Sequence, residues 1–311
     1  MSLHPAFREY LDQLNPLVVK AAAEGVQPTP DSARAALASL NQFALPAVAV
    51  AEVRESALGG IPVRIYIPEP EEACDVVFFV HGGGHMAGDL DVYDFSARRL
   101  AGSSGMVVVS VDYARSPEAP YPIGLEQTYA ALQEVSHGLP GVRVTGKIHG
   151  FADSGGAAKL ASIAQRVARG EWRSPIDRQV LLYPSLDYTM SGETMDTYGQ
   201  DYFLSTERVQ WYFDNYFNEG DDRAQASPGL GPFNDAMPDT LVIAAEYDPL
   251  FSEAVSYVEA MRAAGSSAHL IVATGMIHAF AFFEAMVADD VDRLYEVSAD
   301  FLADGEVPKQ W

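Results

Sequence analysis

Apolar residues recur near the start of the chain at steps of three and four, Phe7, Leu11, Leu14 and Val18, the spacing of a helix that buries one face. A second helix is expected after Pro30, with Asp31 and Ser32 as caps ahead of residues 33–40. The pattern then changes. Residues 49–56 and 62–67 read as strands, and Gly59-Gly60 between them predicts an antiparallel hairpin. Short unbroken apolar runs follow, over residues 76–80, 106–111, 147–151, 179–183, 241–245 and 270–273. Such runs suit strands covered on both faces of a parallel sheet. Helical patterns over 95–100, 123–135, 156–168 and 253–264 fall between several of them, and a last helix is expected over 282–302. Alternation of this kind predicts an α/β fold with right-handed crossovers.

One connection is long. Residues 186–238 hold no clear buried strand, although 206–217 are helical in pattern and rich in aromatics. Trp211, Tyr212, Phe213, Tyr216 and Phe217 can line a pocket there or pack as core, and packing is the commoner use of such a stripe. No repeat, low-complexity tract or Gly/Ser linker divides the chain. The economical organisation is one catalytic domain over 46–311, with residues 1–45 as a helical cover and 186–238 as an insertion contributing to it.

Composition narrows the partners. The chain has 311 residues, 48% of them hydrophobic, enough for a large core. Its 43 acidic against 20 basic residues leave a formal net charge of −23. Nucleic acid and anionic membrane surfaces both need clustered Lys and Arg, so neither is an expected partner. Lysine is confined to Lys20, Lys147, Lys159 and Lys309. The lone Cys74 excludes an internal disulfide and reads as a strand-edge thiol. The first ten residues are too polar for a signal peptide and no stretch reaches membrane-span length, so a cytoplasmic location is expected.

Chemistry gathers at the ends of the apolar runs. Residues 76–80 lead into His81-Gly82-Gly83-Gly84, where three glycines let backbone N–H groups approach a developing negative oxygen. A plain glycine turn would also fit that run alone. Residues 147–151 lead into Ala152-Asp153-Ser154-Gly155-Gly156 and then a helix, a tight turn that exposes Ser154 with a helix N-terminus behind it. Ser154 could equally be a helix cap if nothing activates it. Of seven histidines, His278 follows the last apolar run, at the strand end where α/β sheets bind ligands. Asp248 follows residues 241–245, with Glu246 and Glu253 as alternative acids to orient the imidazole. The order Ser154, Asp248, His278 is the one expected of α/β-hydrolases, and coincidence explains it poorly.

With these motifs the chain resembles the hormone-sensitive lipase family of α/β-hydrolases, its bacterial carboxylesterases in particular, over nearly its whole length. Residues 111–122, Leu182-Tyr183-Pro184-Ser185-Leu186-Asp187 and Asp248-Pro249-Leu250 are similar to further family segments. The resemblance implies an α/β-hydrolase fold, a mostly parallel eight-stranded sheet flanked by helices under a helical cap. It implies a serine carboxylesterase of small, short-acyl esters, with Ser154, Asp248 and His278 as catalytic residues and no cofactor or metal. Gly83, Gly84 and Gly155 would donate to the oxyanion, with His81 and Gly82 shaping the turn. It also admits a homodimer through the sheet edge. Two departures stand out: Ala152 where the family usually has Gly, and His278-Ala279-Phe280 in place of His-Gly-Phe. Amide, carbamate, formamide or lactone hydrolysis is the alternative on this scaffold. A ligand-binding receptor is the non-enzymatic one, but the gibberellin receptors that resemble the family lack the base histidine.

Overall fold

A computed structural model describes residues 2–69 and 71–311. Helices α1 (Pro5–Ala23) and α2 (Pro30–Ser39) open the chain. The cap of α2 is Thr29, not Asp31 or Ser32: its hydroxyl accepts from Ser32 N at 3.1 Å, and Ser32 Oγ accepts from Thr29 N at 2.9 Å. Proline occupies the first helical position, where no N–H is needed, which moves the cap one residue upstream of it.

The hairpin β1 (Glu52–Leu58) and β2 (Ile61–Ile67) turns at Gly59-Gly60. The remaining strands are β3 (Cys74–Val80), β4 (Val107–Val111), β5 (Val144–Asp153), β6 (Ile176–Leu182), β7 (Asp239–Tyr247) and β8 (Ala268–Ile277). They form one sheet in the order β1-β2-β4-β3-β5-β6-β7-β8. β2 runs antiparallel to both neighbours, and the rest from β4 to β8 are parallel.

Alternation along the strands builds two cores. Val77 and Phe79 face a layer made by α3 (Asp94–Ser104) and α10 (Ala288–Asp304), joined by Phe7 and Leu11 of α1. Val76, Phe78 and Val80 face α4 (Ile123–Ser136), α5 (Ser154–Ala168) and α9 (Phe251–Ala263). Continuous apolar runs in the sequence follow directly from this double cover.

Residues 186–238 contain α6 (Thr194–Thr197), α7 (Thr206–Tyr216) and α8 (Arg223–Ala226). Phe213, Tyr216 and Phe217 bury themselves in a third cluster with Tyr188 and Met195. α10 begins at Ala288, six residues after the expected start. Residues 280–282 form a 3-10 turn, and Ala285 N donates to Phe43 O at 2.8 Å. Glu284 accepts from Leu45 N and Arg99, ties that hold the backbone out of a helix.

Candidate active site

The fold sets four chemical residues at strand ends along one side of the sheet order, with only β6 intervening. β3 ends just before His81, β5 just before Ser154, β7 just before Asp248 and β8 just before His278. Ser154 sits at φ +47°, a left-handed conformation that L-residues adopt only where the surroundings impose it. The constraint is visible one turn on. A Cβ at Gly156 would collide with the carbonyl oxygens of Val80 and His81, so α5 can approach β3 closely only with glycine there.

Ser154 Oγ lies 3.0 Å from His278 Nε2. His278 Nδ1 lies 2.7 Å from Asp248 Oδ2, and Leu250 N donates to the other carboxylate oxygen at 2.9 Å. Asp248 is 1% exposed, so its oxygens have little access to water and the imidazole is held in place. The alternative acids are engaged elsewhere: Glu246 accepts from Gly275 N, and Glu253 is buried and accepts from Leu186 N. Tyr183 packs its ring 4.8 Å from that of His278.

The glycine run lies against this line. Gly83, Gly84 and Gly155 border the same cavity as Ser154 and His278. Gly83 and Gly84 have φ of +98° and +59°, and a Cβ on Gly84 would come within 2.7 Å of the Tyr212 ring. Gly82 N donates to Asp153 Oδ1 at 2.7 Å, and the Tyr93 hydroxyl donates to Oδ2 at 3.0 Å. Burial pushes the Asp153 carboxyl up to about 7, against the lowering effect of those two donors. His81 does not border the cavity that Ser154 and His278 share. Its ring stacks on Tyr113 at 4.5 Å and its Nδ1 meets Gly82 O at 2.9 Å, while burial lowers its pKa to about 3.

The cavity measures about 300 Å³. Tyr10 and Leu14 of α1, Leu37 and Leu40 from α2 and its end, and Tyr212 and Phe213 of α7 form its upper wall. The aromatic stripe of 206–217 therefore does both jobs: Tyr212 faces the cavity, Phe213 both borders it and belongs to the third cluster, and Tyr216 and Phe217 are core. Arg34 of α2 reaches under the wall, donating to Met86 O, Ser116 O and Glu118. That tie, and the burial of Lys159 beside His85, left no mark in the pattern of residues.

Both departures from the family pattern have a place. Ala152 lies in regular strand, paired with Val80 and Leu181, and its methyl is buried in the core facing α5. It does not crowd the turn. Ala279 has φ +61°, so there the missing glycine does leave strain. Among the described residues no cluster of three His, Cys, Asp or Glu could hold a metal, and no helix is long and apolar enough to cross a membrane.

Residues 77–282 match the family described as the α/β hydrolase fold. The chain is 32% identical over 235 residues to the carboxylic ester hydrolase LipN of Mycobacterium tuberculosis; the match takes in 71% of this chain but only 61% of LipN. It is 30% identical over 302 residues to the carboxylesterase NlhH of the same organism, 92% of this chain and 91% of NlhH. Among solved structures it is similar to a hyperthermophilic esterase from the archaeon Pyrobaculum calidifontis, with 30% identity, 97% of this chain and 98% of that one covered, and a TM-score of 0.82. With the strand-end geometry already described, these likenesses assign the chain to the hormone-sensitive lipase family of α/β-hydrolases.

Proposed function

We propose that this protein is a serine carboxylesterase that hydrolyses small esters with short acyl chains through an acyl-enzyme. The observation that carries the reading is the unbroken line from Asp248 through His278 to Ser154, with contacts of 2.7 and 3.0 Å, at the floor of an apolar cavity.

Ser154 Oγ attacks the ester carbonyl carbon while its proton passes to His278 Nε2. The carbonyl oxygen becomes negative and takes hydrogen bonds from the N–H groups of Gly83, Gly84 and Gly155. Asp248 keeps the imidazole oriented and stabilises the imidazolium. As the tetrahedral centre collapses, the C–O bond to the alcohol breaks and His278 protonates the leaving oxygen. Water, deprotonated by His278, then attacks the acyl carbon; the bond to Ser154 Oγ breaks, His278 returns the proton to Oγ, and the acid and free Ser154 result.

Substrate size follows from the wall. A cavity of about 300 Å³ lies at the small end of ligand pockets, which suits an acetyl to butyryl chain better than a fatty acyl chain. In this reading residues 1–45 and 186–238 act as the cap over a catalytic body of 46–311. Replacing Ser154 by Ala should abolish turnover of an aryl acetate and labelling by a serine-directed phosphonate. Retained turnover would refute the assignment, and a matched amide or lactone turned over faster than the ester would shift it to that alternative.

A further inference from the structure

One of the four lysines, Lys159, is buried in the second turn of α5, the helix that begins at Ser154. Its Nζ lies 2.6 Å from Nδ1 of His85, the residue that follows the glycine run. His85 Nε2 stands 3.2 Å from the Tyr188 hydroxyl, and the imidazole stacks on Tyr216 with ring centres 3.8 Å apart. Lys159 Nζ also lies 4.2 Å from the ring centre of Tyr113 and 5.2 Å from that of Tyr216.

The groups facing the amine are thus His85 from the loop, Tyr113 from the segment after β4 and Tyr216 from α7. On α4 a Cβ at Gly124 would lie 3.5 Å from Lys159 Cε, and His81, near enough to sense the charge, is kept neutral by burial. Among the described residues no carboxylate pairs with Lys159. A buried amine with no counter-ion is costly, and an apolar side chain would fill the same space more cheaply. The aromatic faces and the imidazole nitrogen offset part of that cost. An ammonium at Nδ1 fixes the tautomer: Nδ1 accepts, Nε2 carries the proton, and Nε2–H donates to Tyr188.

We propose that Lys159 is a positioning residue for the oxyanion loop, holding Gly84 through His85 and setting a buried ammonium behind the place where the ester oxygen turns negative. The proposal rests on the reading of Gly83, Gly84 and Gly155 as oxyanion donors. Its geometric basis is a pair of clamps. Asp153, at the end of β5, grips the loop at Gly82, and Lys159, on the helix that continues from β5, grips it at His85. Both clamps belong to the same strand–turn–helix unit as Ser154, so loop and nucleophile keep one spacing. Gly83 and Gly84 lie between the two grips; His85 itself is held at φ +64°, and its backbone nitrogen lies 3.0 Å from where Gly155 would carry a Cβ.

Burial lowers the Lys159 amine from 10.5 to about 7. Loss of the proton removes the charge, so kcat should fall as pH rises through neutrality. The effect on folding has the other sign. Between about 7 and 10.5 the unfolded chain binds the proton more tightly, so stability rises with pH there and the charged lysine is a burden at lower pH.

The test compares Lys159→Met with the wild type on an aryl acetate. Expected are a kcat about tenfold lower or less, KM within about twofold, and a melting temperature at pH 7 equal or higher. The alkaline fall in wild-type kcat should be absent from the variant, and phosphonate should still label Ser154 stoichiometrically but more slowly. Unchanged kcat, or a kcat loss that tracks a lower melting temperature, overturns the proposal. If the Met variant does not fold, His85→Phe and the wild-type pH profile decide: a wild-type kcat flat between pH 7 and 9 overturns it. Failure of the Ser154 reading would look different, because the wild type itself would take no label.

Discussion

The floor and the upper wall of the cavity are built by different rules. On the floor, each polar group is held by directional bonds: Asp248 by two, Asp153 by two, and the loop at both ends. The wall of α1, α2 and α7 meets the cavity mainly through packed Tyr10, Leu37, Tyr212 and Phe213. Directional bonds fix atoms to tenths of an ångström, as bond-making requires, whereas packed side chains set only volume and shape. In the proposed reading the chemistry is carried by strand ends that the fold itself dictates, and substrate choice by helices laid over them.

Substitutions should separate the two regions. His278→Ala should cut kcat by at least about 10⁴-fold with little change in KM, measured on an aryl acetate. A loss of under about tenfold would mean that the floor is not the reacting centre. Asp153→Ala strands the Gly82 N–H and the Tyr93 hydroxyl, and should lower kcat by about 10- to 100-fold. Tyr212→Ala acts on the wall. It should raise KM for acetyl esters about three- to tenfold and move the preferred acyl chain upward, with kcat changed little. A collapse of kcat there would erase the distinction.

Stability against pH offers a gentler test. Asp153 is raised to about 7 by burial, so the folded protein holds its proton more tightly than the unfolded chain from about 3.8 upward. Its contribution to stability is complete below that range and is lost as pH rises through about 7. Urea titrations should show this slope flattened in Asp153→Asn. The smallest effect belongs to Ala279→Gly, which relieves a left-handed alanine and should gain at most about 1 kcal/mol.

How much of this was legible in the residues depended on range. Doubly covered strands announce themselves as apolar runs, so β3 to β8 were found that way and the β1–β2 hairpin by its Gly59-Gly60 turn, although β5 and β8 extend into positions such as Thr145 and Thr274 that no run includes. The start of α10 was misplaced because bonds from Glu284 to Leu45 and Arg99, far away in the chain, overrule a helical pattern. Ser154, Asp248 and His278 were readable because each follows a strand directly. Their partners were not. Nothing in the residues around Lys159 marks it as buried until Tyr113, Tyr216 and His85, all distant in the chain, are seen around it, and Asp153 gives no hint that it reaches Gly82, 71 residues earlier.

Ser154 and His278 are 124 residues apart along the chain and 3.0 Å apart in space. That distance has a kinetic meaning. Among the described residues β8 comes last of the strands in chain order and occupies one edge of the sheet, paired with β7 alone. Chain closure over so long a separation comes late in folding, after more local contacts have formed. During refolding, secondary structure and burial should return before ester turnover does. Activity then becomes a clock for the docking of a single edge strand.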